Sequence, residues 1–599
     1  MSSNNQNNQN NTFKLPICYD TQVCSLSEQI QTDLELAECI NTTDTVTQNE
    51  NKSIYDTIFK NTNIITNSHI KQIIKQITST YTTNIDYLKD TQQLILQYNP
   101  IERDSVVHTT QETGSTTITD ITVYDYNYDN VISFTKEILL PNVLNKYGLI
   151  EYQHLRFINN YEYILQFTSL YTLCSPIIAL VTPLIILIIP FILLKLQSVD
   201  ITFQTYIQLL KEIGKNNPII MMFTNFMNGT NEQKTYQTIT VLLYVFSIYQ
   251  QCMHCYSFYS NIRQLNTYLI NLKKFVNSSL SYMRHYVSFT TKLPTYNAFN
   301  IVLSKNLNDL LDIQHLLEPI NIFNISINSF FQIGNLLKVA YILYSNKQIQ
   351  ETIEYAIHFN AYYEIFESIV GLYKQQKIHV AKFVKNKKPI LKFKKLYYPS
   401  YLWTDNCVSN NVNLQKHFII TGPNASGKTT VLKSIFINTL FTQQFGVGFY
   451  SKAVLTPFKY LHCYLNIPDT NGRDSLFQAE ARRCKEIIDN IQNNKDGKHL
   501  SIFDELYSGT NPDEAVSSSY AVLKYISAFP HVKWILTTHF YDLCILLDKT
   551  RSVKNTHMEV VDNFKYTYLL KPKMSQMKGA HKILKDMDFP MEVLCNSFS

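Results

Sequence analysis

Three short stretches in the C-terminal third of the chain hold residues that could handle a phosphate chain. The first runs Gly422, Pro423, Asn424, Ala425, Ser426, Gly427, Lys428, Thr429 and Thr430, and it fits G-x-x-x-x-G-K-[ST]. Gly422 and Gly427 let the backbone wrap closely enough for its N–H groups to point at phosphates. Lys428 can reach β- and γ-phosphates, and the Thr429 hydroxyl can sit on Mg²⁺. The second stretch, His499-Leu-Ser-Ile-Phe-Asp-Glu505, is an apolar run ending in two carboxylates. Asp504 suits Mg²⁺ coordination, and Glu505 is placed to polarise an attacking water. The third, Lys533-Trp-Ile-Leu-Thr-Thr-His539, ends in a histidine. That histidine is either a γ-phosphate sensor or a side chain satisfied by local hydrogen bonds.

These groups need rigid supports. Phe418-Ile-Ile-Thr421 reads as a buried strand feeding the glycine turn, with a helix beginning near Lys428. The positive end of that helix adds to the field on an anion. The other two stretches read as further strands of one parallel sheet, where ligands gather at the C-terminal ends.

Several motifs carry a resemblance. Thr421 to Thr430 resembles the nucleotide loop of the MutS mismatch-repair ATPases, and equally that of ABC and SMC ATPases. Asp504-Glu-Leu-Tyr-Ser-Gly-Thr510 is similar to the D-E-x-x-x-G-T of MutS proteins. Gly472-Arg-Asp-Ser-Leu-Phe-Gln-Ala-Glu480, Thr538-His-Phe540 and the segment from Lys578 to Pro590 resemble three further family segments in the family's order.

The resemblance implies an α/β P-loop ATPase domain of ABC/MutS type, C-terminal to a mainly α-helical core and lever region. It implies ATP and Mg²⁺ as ligands. Asn424, Lys428 and Thr429 would bind phosphate and metal, with Asp504 supporting the metal. Glu505 would activate water and His539 would read hydrolysis. Ser475 matches the serine offered in trans to a partner's γ-phosphate, which implies a homo- or heterodimer through the ATPase domain. Double-stranded DNA is the implied partner, in mismatch repair or recombination. Where the family stacks an aromatic ring on adenine, alignment places Cys407, with Trp403 and Tyr401 as neighbouring substitutes. Tyr507-Ser508 departs from the commoner Gly-Arg. No Phe-x-Glu wedge is found near the N-terminus, so the expectation is a relative lacking the mismatch-recognition domain.

The 599 residues suffice for two or three domains. Only 17% are charged and the net charge is +6, a mild excess that suits a polyanion without requiring one. The 11 cysteines are scattered, and the close pair Cys252 and Cys255 lacks a second half, which argues against a zinc site and for a reducing compartment. The expected location is intracellular, with the ATPase domain in cytosol or nucleoplasm. Residues 1–12 are nearly all Ser, Asn and Gln and read as a disordered tail.

The division expected from this reading is 13–395 mainly helical and 396–599 ATPase. Thr116-Thr-Ile-Thr-Asp-Ile-Thr-Val123 has strand-like content. Ile177 to Leu194 is a run of about 18 residues without a charge, near the length that crosses a bilayer. With a second uncharged stretch after Lys234, it defines candidate membrane segments 175–197 and 237–258, and a membrane as a partner through 175–258. The competing reading is a pair of very apolar core helices. Pro176, Pro183 and Pro190 weigh against a soluble helix more than a membrane one. A membrane-anchored ATPase with a role outside repair is therefore the second functional expectation. Lys382 to Lys395 reads as a basic linker, either solvated or touching nucleic acid with Phe383 and Phe393.

Overall fold

The computed structural model describes residues 12–39, 52–59, 68–101, 125–197, 202, 204–208, 231–323, 330–404, 407–465, 475–561, 565–575, 587 and 590. The strand-like run 116–123, the tail 1–11, residues 472–474 and most of 578–590 lie outside them.

The compact units do not follow the linear order. One comprises Met1–Glu102, Tyr282–Lys305 and Tyr355–Ser599; the other comprises Arg103–Ser281 and Asn306–Glu354.

In chain order the strands are β1 (Val23–Ser25), β2 (Thr80–Thr82), β3 (His379–Phe383), β4 (Leu391–Leu396), β5 (Asn410–Asn413), β6 (His417–Thr421), β7 (Val447–Gly448), β8 (Lys452–Leu455), β9 (Tyr460–Tyr464), β10 (His499–Asp504), β11 (Val532–Thr538), β12 (Val553–Val561) and β13 (Lys565–Pro572). All belong to the first unit.

The central sheet has the order β13-β12-β6-β11-β10-β9, with β13 antiparallel at its edge and the other pairs parallel. β6 is buried at every position, as a strand covered on both faces must be. Ile419, Phe503, Trp534 and Leu536 pack with Ile487, Leu523 and Leu543 into one core. Because β6 lies beside β11 and β11 beside β10, three segments far apart in sequence end side by side. Thr421 pairs with Thr538, and Asp504 with Thr537.

A second sheet, β5-β4-β8-β3-β7, contains the stretch expected to be a basic linker. β3 and β4 take up half of residues 382–395, so Lys382, Lys392, Lys394 and Lys395 decorate strands. Phe393 is buried and stacked on Tyr450, which removes it from any nucleic-acid surface.

The N-terminal helices Ile54–Ile58, Ser68–Ser79 and Ile85–Gln97 pack within this same unit. Their main support is the helix Lys428–Phe445, which is buried nearly throughout and carries polar residues inward. Gln443 donates to the Thr82 and Phe458 carbonyls and accepts from Phe458 N–H. Gln444 donates to the Ile77 and Thr80 carbonyls. Each amide thus meets the backbone ends it faces, as burial demands.

The second unit contains the helix Glu162–Leu196, which runs through all three prolines. Its first turns are anchored. Leu165 and Ser169 are buried, and Gln166 donates to the Phe330 carbonyl and accepts from Gly334 N–H. Beyond them Tyr171, Ile177, Leu180, Ile188 and Leu193 are exposed. The first part of the helix Asn231–Thr290 pairs with it in antiparallel fashion. Tyr244 donates to the Ala179 carbonyl at 2.7 Å and the Cys255 thiol to the Leu173 carbonyl at 3.4 Å. This partner also exposes Leu242, Leu243, Val245 and Phe246. Among the described residues, Glu162–Thr182 is long and apolar enough to cross a membrane, with only 11% of its most apolar window buried. A core helix of a soluble protein would be mostly covered.

Candidate functional site

The glycine loop joins the end of β6 to the helix Lys428–Phe445. Gly422 has φ 151° and Gly427 φ 92°, conformations that disfavour a side chain. A Cβ on Gly422 would also stand 2.9 Å from Ser426 Oγ, and one on Gly427 3.2 Å from the Tyr568 ring. Ser426 is buried and its hydroxyl donates to the Pro423 carbonyl at 2.7 Å, which closes the loop from inside.

Lys428 is only 5% exposed. Its ammonium donates to the Gly422 and Pro423 carbonyls at 3.0 and 3.2 Å and to Asn424 Oδ1 at 3.3 Å, and it lies 3.5 Å from Glu505. Thr429 donates to the Asp504 carboxylate at 2.9 Å, and Thr537 donates to the same carboxylate. Glu505 lies 3.6 Å from His539 Nδ1, and its N–H donates to the Thr537 carbonyl.

The two adjacent carboxylates are driven in opposite directions. Burial raises Asp504, against the hydrogen bonds from Thr537 and Thr429. The hydrogen bond with His539 lowers Glu505, helped by Lys428. Opposed settings of neighbouring acids mark a division of labour. The Asp504 carboxylate and Thr429 hydroxyl are hard oxygen donors, a set that fits Mg²⁺ held by few protein groups and completed by phosphate and water.

Lys428, Thr429, Asp504 and Glu505 all line one cavity of about 780 Å³, as do Pro423, Asn424, Ala425, Gly427 and Thr430. The aromatic wall differs from the sequence expectation. Tyr401 lines the cavity, joined by Tyr397, Tyr398 and Tyr568, whereas Cys407 and Trp403 do not. Trp403 turns its indole N–H to the Thr57 carbonyl, which takes it out of the cavity. Tyr568 comes from β13, held by Asn410: its amide donates to the Tyr568 carbonyl and accepts from Leu570 N–H. No local motif marks such a residue.

Ser475 lies outside the cavity lining. It caps the helix Leu476–Asn493, accepting from Gln478 N–H at 3.3 Å while Gln478 Oε1 accepts from Ser475 N–H. Sequence reasoning also missed Thr537 and Glu480. A threonine at the end of an otherwise apolar strand was the available signal for Thr537.

Comparison with known proteins bears on the same region. The family described as MutS domain V matches residues 418–597. "DNA mismatch repair protein MutS" of Leuconostoc mesenteroides is 29% identical over 160 residues, 26% of this chain and 18% of the relative. "MutS protein homolog 4" of Mus musculus is 31% identical over 185 residues, 29% of this chain and 19% of the relative. "DNA mismatch repair protein MutS" of Aquifex pyrophilus is 30% identical over 200 residues, 32% of this chain and 23% of the relative. The similarity thus spans about a fifth of these relatives' length. The likeness to MutS proteins is therefore placed in residues 418–597, the stretch that matches MutS domain V.

Proposed function

We propose that the C-terminal region is a P-loop ATPase of ABC/MutS type that binds ATP with Mg²⁺, hydrolyses it and couples turnover to DNA, in mismatch repair or recombination. The observation that carries this reading is the meeting of Lys428, Thr429, Asp504, Glu505 and His539 at the ends of three adjacent strands.

The loop from Gly422 to Thr430 cradles the phosphates with its N–H groups, and Asn424 and Lys428 contact them. Thr429 and Asp504 would hold Mg²⁺, which supplies charge neutralisation when bound. Glu505, ionised at neutral pH, orients a water for attack on the γ-phosphorus. The bond from that phosphorus to the β,γ-bridging oxygen breaks, ADP leaves, and the water's proton passes by way of Glu505 to solvent or phosphate. His539 contacts Glu505 and reports the phosphate's departure. Tyr398, Tyr401 and Tyr568 offer rings to the base. Ser475, on an exposed helix start, is offered to the γ-phosphate of a second chain, so the active form is a homo- or heterodimer. Its relatives' printed names favour DNA as the partner, and we take the double-stranded form.

Replacing Glu505 with Gln tests the assignment. General-base groups contribute roughly 10²- to 10⁴-fold, so turnover should fall by that order while ATP binding persists. Undiminished hydrolysis would sink it. Salt-sensitive duplex binding that changes with nucleotide tests the DNA role.

A second reading has its own observation. Two apolar helices pair with each other and leave their outer faces uncovered. This favours a membrane-anchored MutS-like ATPase, with 175–197 and 237–258 as the inserted hairpin. Alkaline carbonate extraction separates the cases: an integral protein stays with the pellet, and a peripheral one is released.

A further inference from the structure

The loop that follows Glu505 is fastened to the helix that Ser475 begins. Glu480, on that helix, is 2% exposed. Its carboxylate accepts three hydrogen bonds from the loop: Ser508 N–H and O–H, both at 3.0 Å, and Gly509 N–H at 3.2 Å. Leu476, the first residue of the helix, lies so close to Gly509 that a Cβ there would stand 2.7 Å from its Cγ.

Tyr507 adds a second attachment. Its φ is 61°, a left-handed conformation that a bulky residue rarely adopts, and Glu505 itself has φ 50°. Strain of this kind persists only when the surroundings over-determine it. Here they do. The Tyr507 ring is buried and packs on Phe477 of the same helix, with centroids 5.4 Å apart. Its N–H donates to the Tyr464 hydroxyl at 3.3 Å, and its side chain hydrogen-bonds to Cys484, also on that helix. A glycine would fit the backbone there without strain; tyrosine fits only by docking its ring.

We propose that Glu480 and Tyr507 are positioning residues that set Glu505 by clamping its loop to the helix begun by Ser475. The proposal rests on the hydrolytic role proposed for Glu505. Its consequence is mechanical: loop and helix move as one body, so a displacement of Ser475 is felt at Glu505, about a turn and a half of helix and one buried carboxylate away. A full carboxylate is needed, because every group facing Glu480 from the loop is a donor.

Steady-state ATPase kinetics of the full chain test this with Glu480→Gln, Tyr507→Gly and Glu505→Gln side by side. Glu480→Gln keeps the shape but replaces one accepting oxygen with an N–H₂ that faces the loop's donors, Gly509 N–H or the Ser508 pair. Tyr507→Gly suits the φ and removes the ring. Both should lower kcat tenfold or more with KM and nucleotide affinity within twofold, since neither residue lines the phosphate cavity. Glu480→Asp, which keeps the charge, should recover part of the loss. If Glu505→Gln is inactive while Glu480→Gln and Tyr507→Gly turn over within twofold of the parent, the clamp is overturned and the catalytic reading stands. If the two variants lose nucleotide binding in step with kcat, the contacts merely hold the fold, and the positioning role is likewise overturned. If Glu505→Gln hydrolyses ATP at the parent rate, the catalytic reading itself fails and takes the clamp with it.

Discussion

Two helices of this protein invert each other. Lys428–Phe445 buries Asn438, Thr439, Thr442, Gln443 and Gln444, whereas Glu162–Leu196 holds Ile177, Leu180, Ile188 and Leu193 outward. Water cannot explain both. A buried amide survives only where its oxygen and its N–H groups are met: Gln443 meets backbone groups with both ends, and Gln444 donates to two carbonyls and accepts from the Tyr55 hydroxyl. An uncovered leucine is ordinary alone, but a continuous apolar surface on two paired helices marks a contact with something other than water. The first helix has its polar groups solvated by protein. The second turns apolar groups outward, a face suited to an apolar neighbour. Composition alone ranks these helices the wrong way for burial.

The contrast can be broken most directly by removing residues 175–260. With lipid as the apolar solvent, the full chain stays in the membrane pellet after carbonate extraction and the deletion is released. Equal release of both would make the exposed face a protein contact.

Charged substitution sharpens the same point. Leu180→Arg with Ile189→Arg places two guanidinium groups on the exposed helix, and in a bilayer each disfavours insertion by about 2.5–3.5 kcal/mol. On a water-exposed face the pair would change stability by less than about 1 kcal/mol. An insertion assay reads the difference.

Gln443→Leu tests the other helix. It strands the Thr82 and Phe458 carbonyls and the Phe458 N–H, at about 1–3 kcal/mol for each group left unpaired, so thermal unfolding should shift down by many degrees. An unchanged midpoint would mean the amide is dispensable.

A smaller effect is set by pH. Burial pushes His417 and His462 to about 3, and His499 to about 4, against an ordinary 6.5. The unfolded chain therefore takes up protons first as pH falls below 6.5. Stability declines from there toward pH 4, by roughly 1–2 kcal/mol per histidine at pH 5. Denaturant midpoints flat between pH 7 and 5 would contradict this.

The candidate phosphate site was legible in the sequence because phosphate chemistry prescribes residues at fixed spacing. Glycines at 422 and 427, Lys428 and the Asp504-Glu505 pair needed no tertiary information. What was not legible came from elsewhere in the chain. Tyr568 enters the cavity from a strand more than 100 residues beyond the loop, and nothing local marks it. Lysines at alternate strand positions mimicked a linker at 382–395, because exposed strand faces and solvated coils share a composition. The N-terminal hundred residues read as part of a helical domain, since amphipathic periodicity reveals that a face is buried and not what buries it.

The burial of the N-terminal helices against a distant part of the chain shapes how the protein is made. Gln92 donates to the Gly446 carbonyl, 354 residues downstream. At a synthesis rate of about 5–20 residues per second, the N-terminal helices wait roughly 20–70 s for the surface they cover. In that interval the contacts of Thr82 and Gln92 with residues 443–446 are unmade, while the apolar pair between 162 and 260 has already left the ribosome. The course of that pair is thus set before the cavity around Lys428 and Asp504 exists.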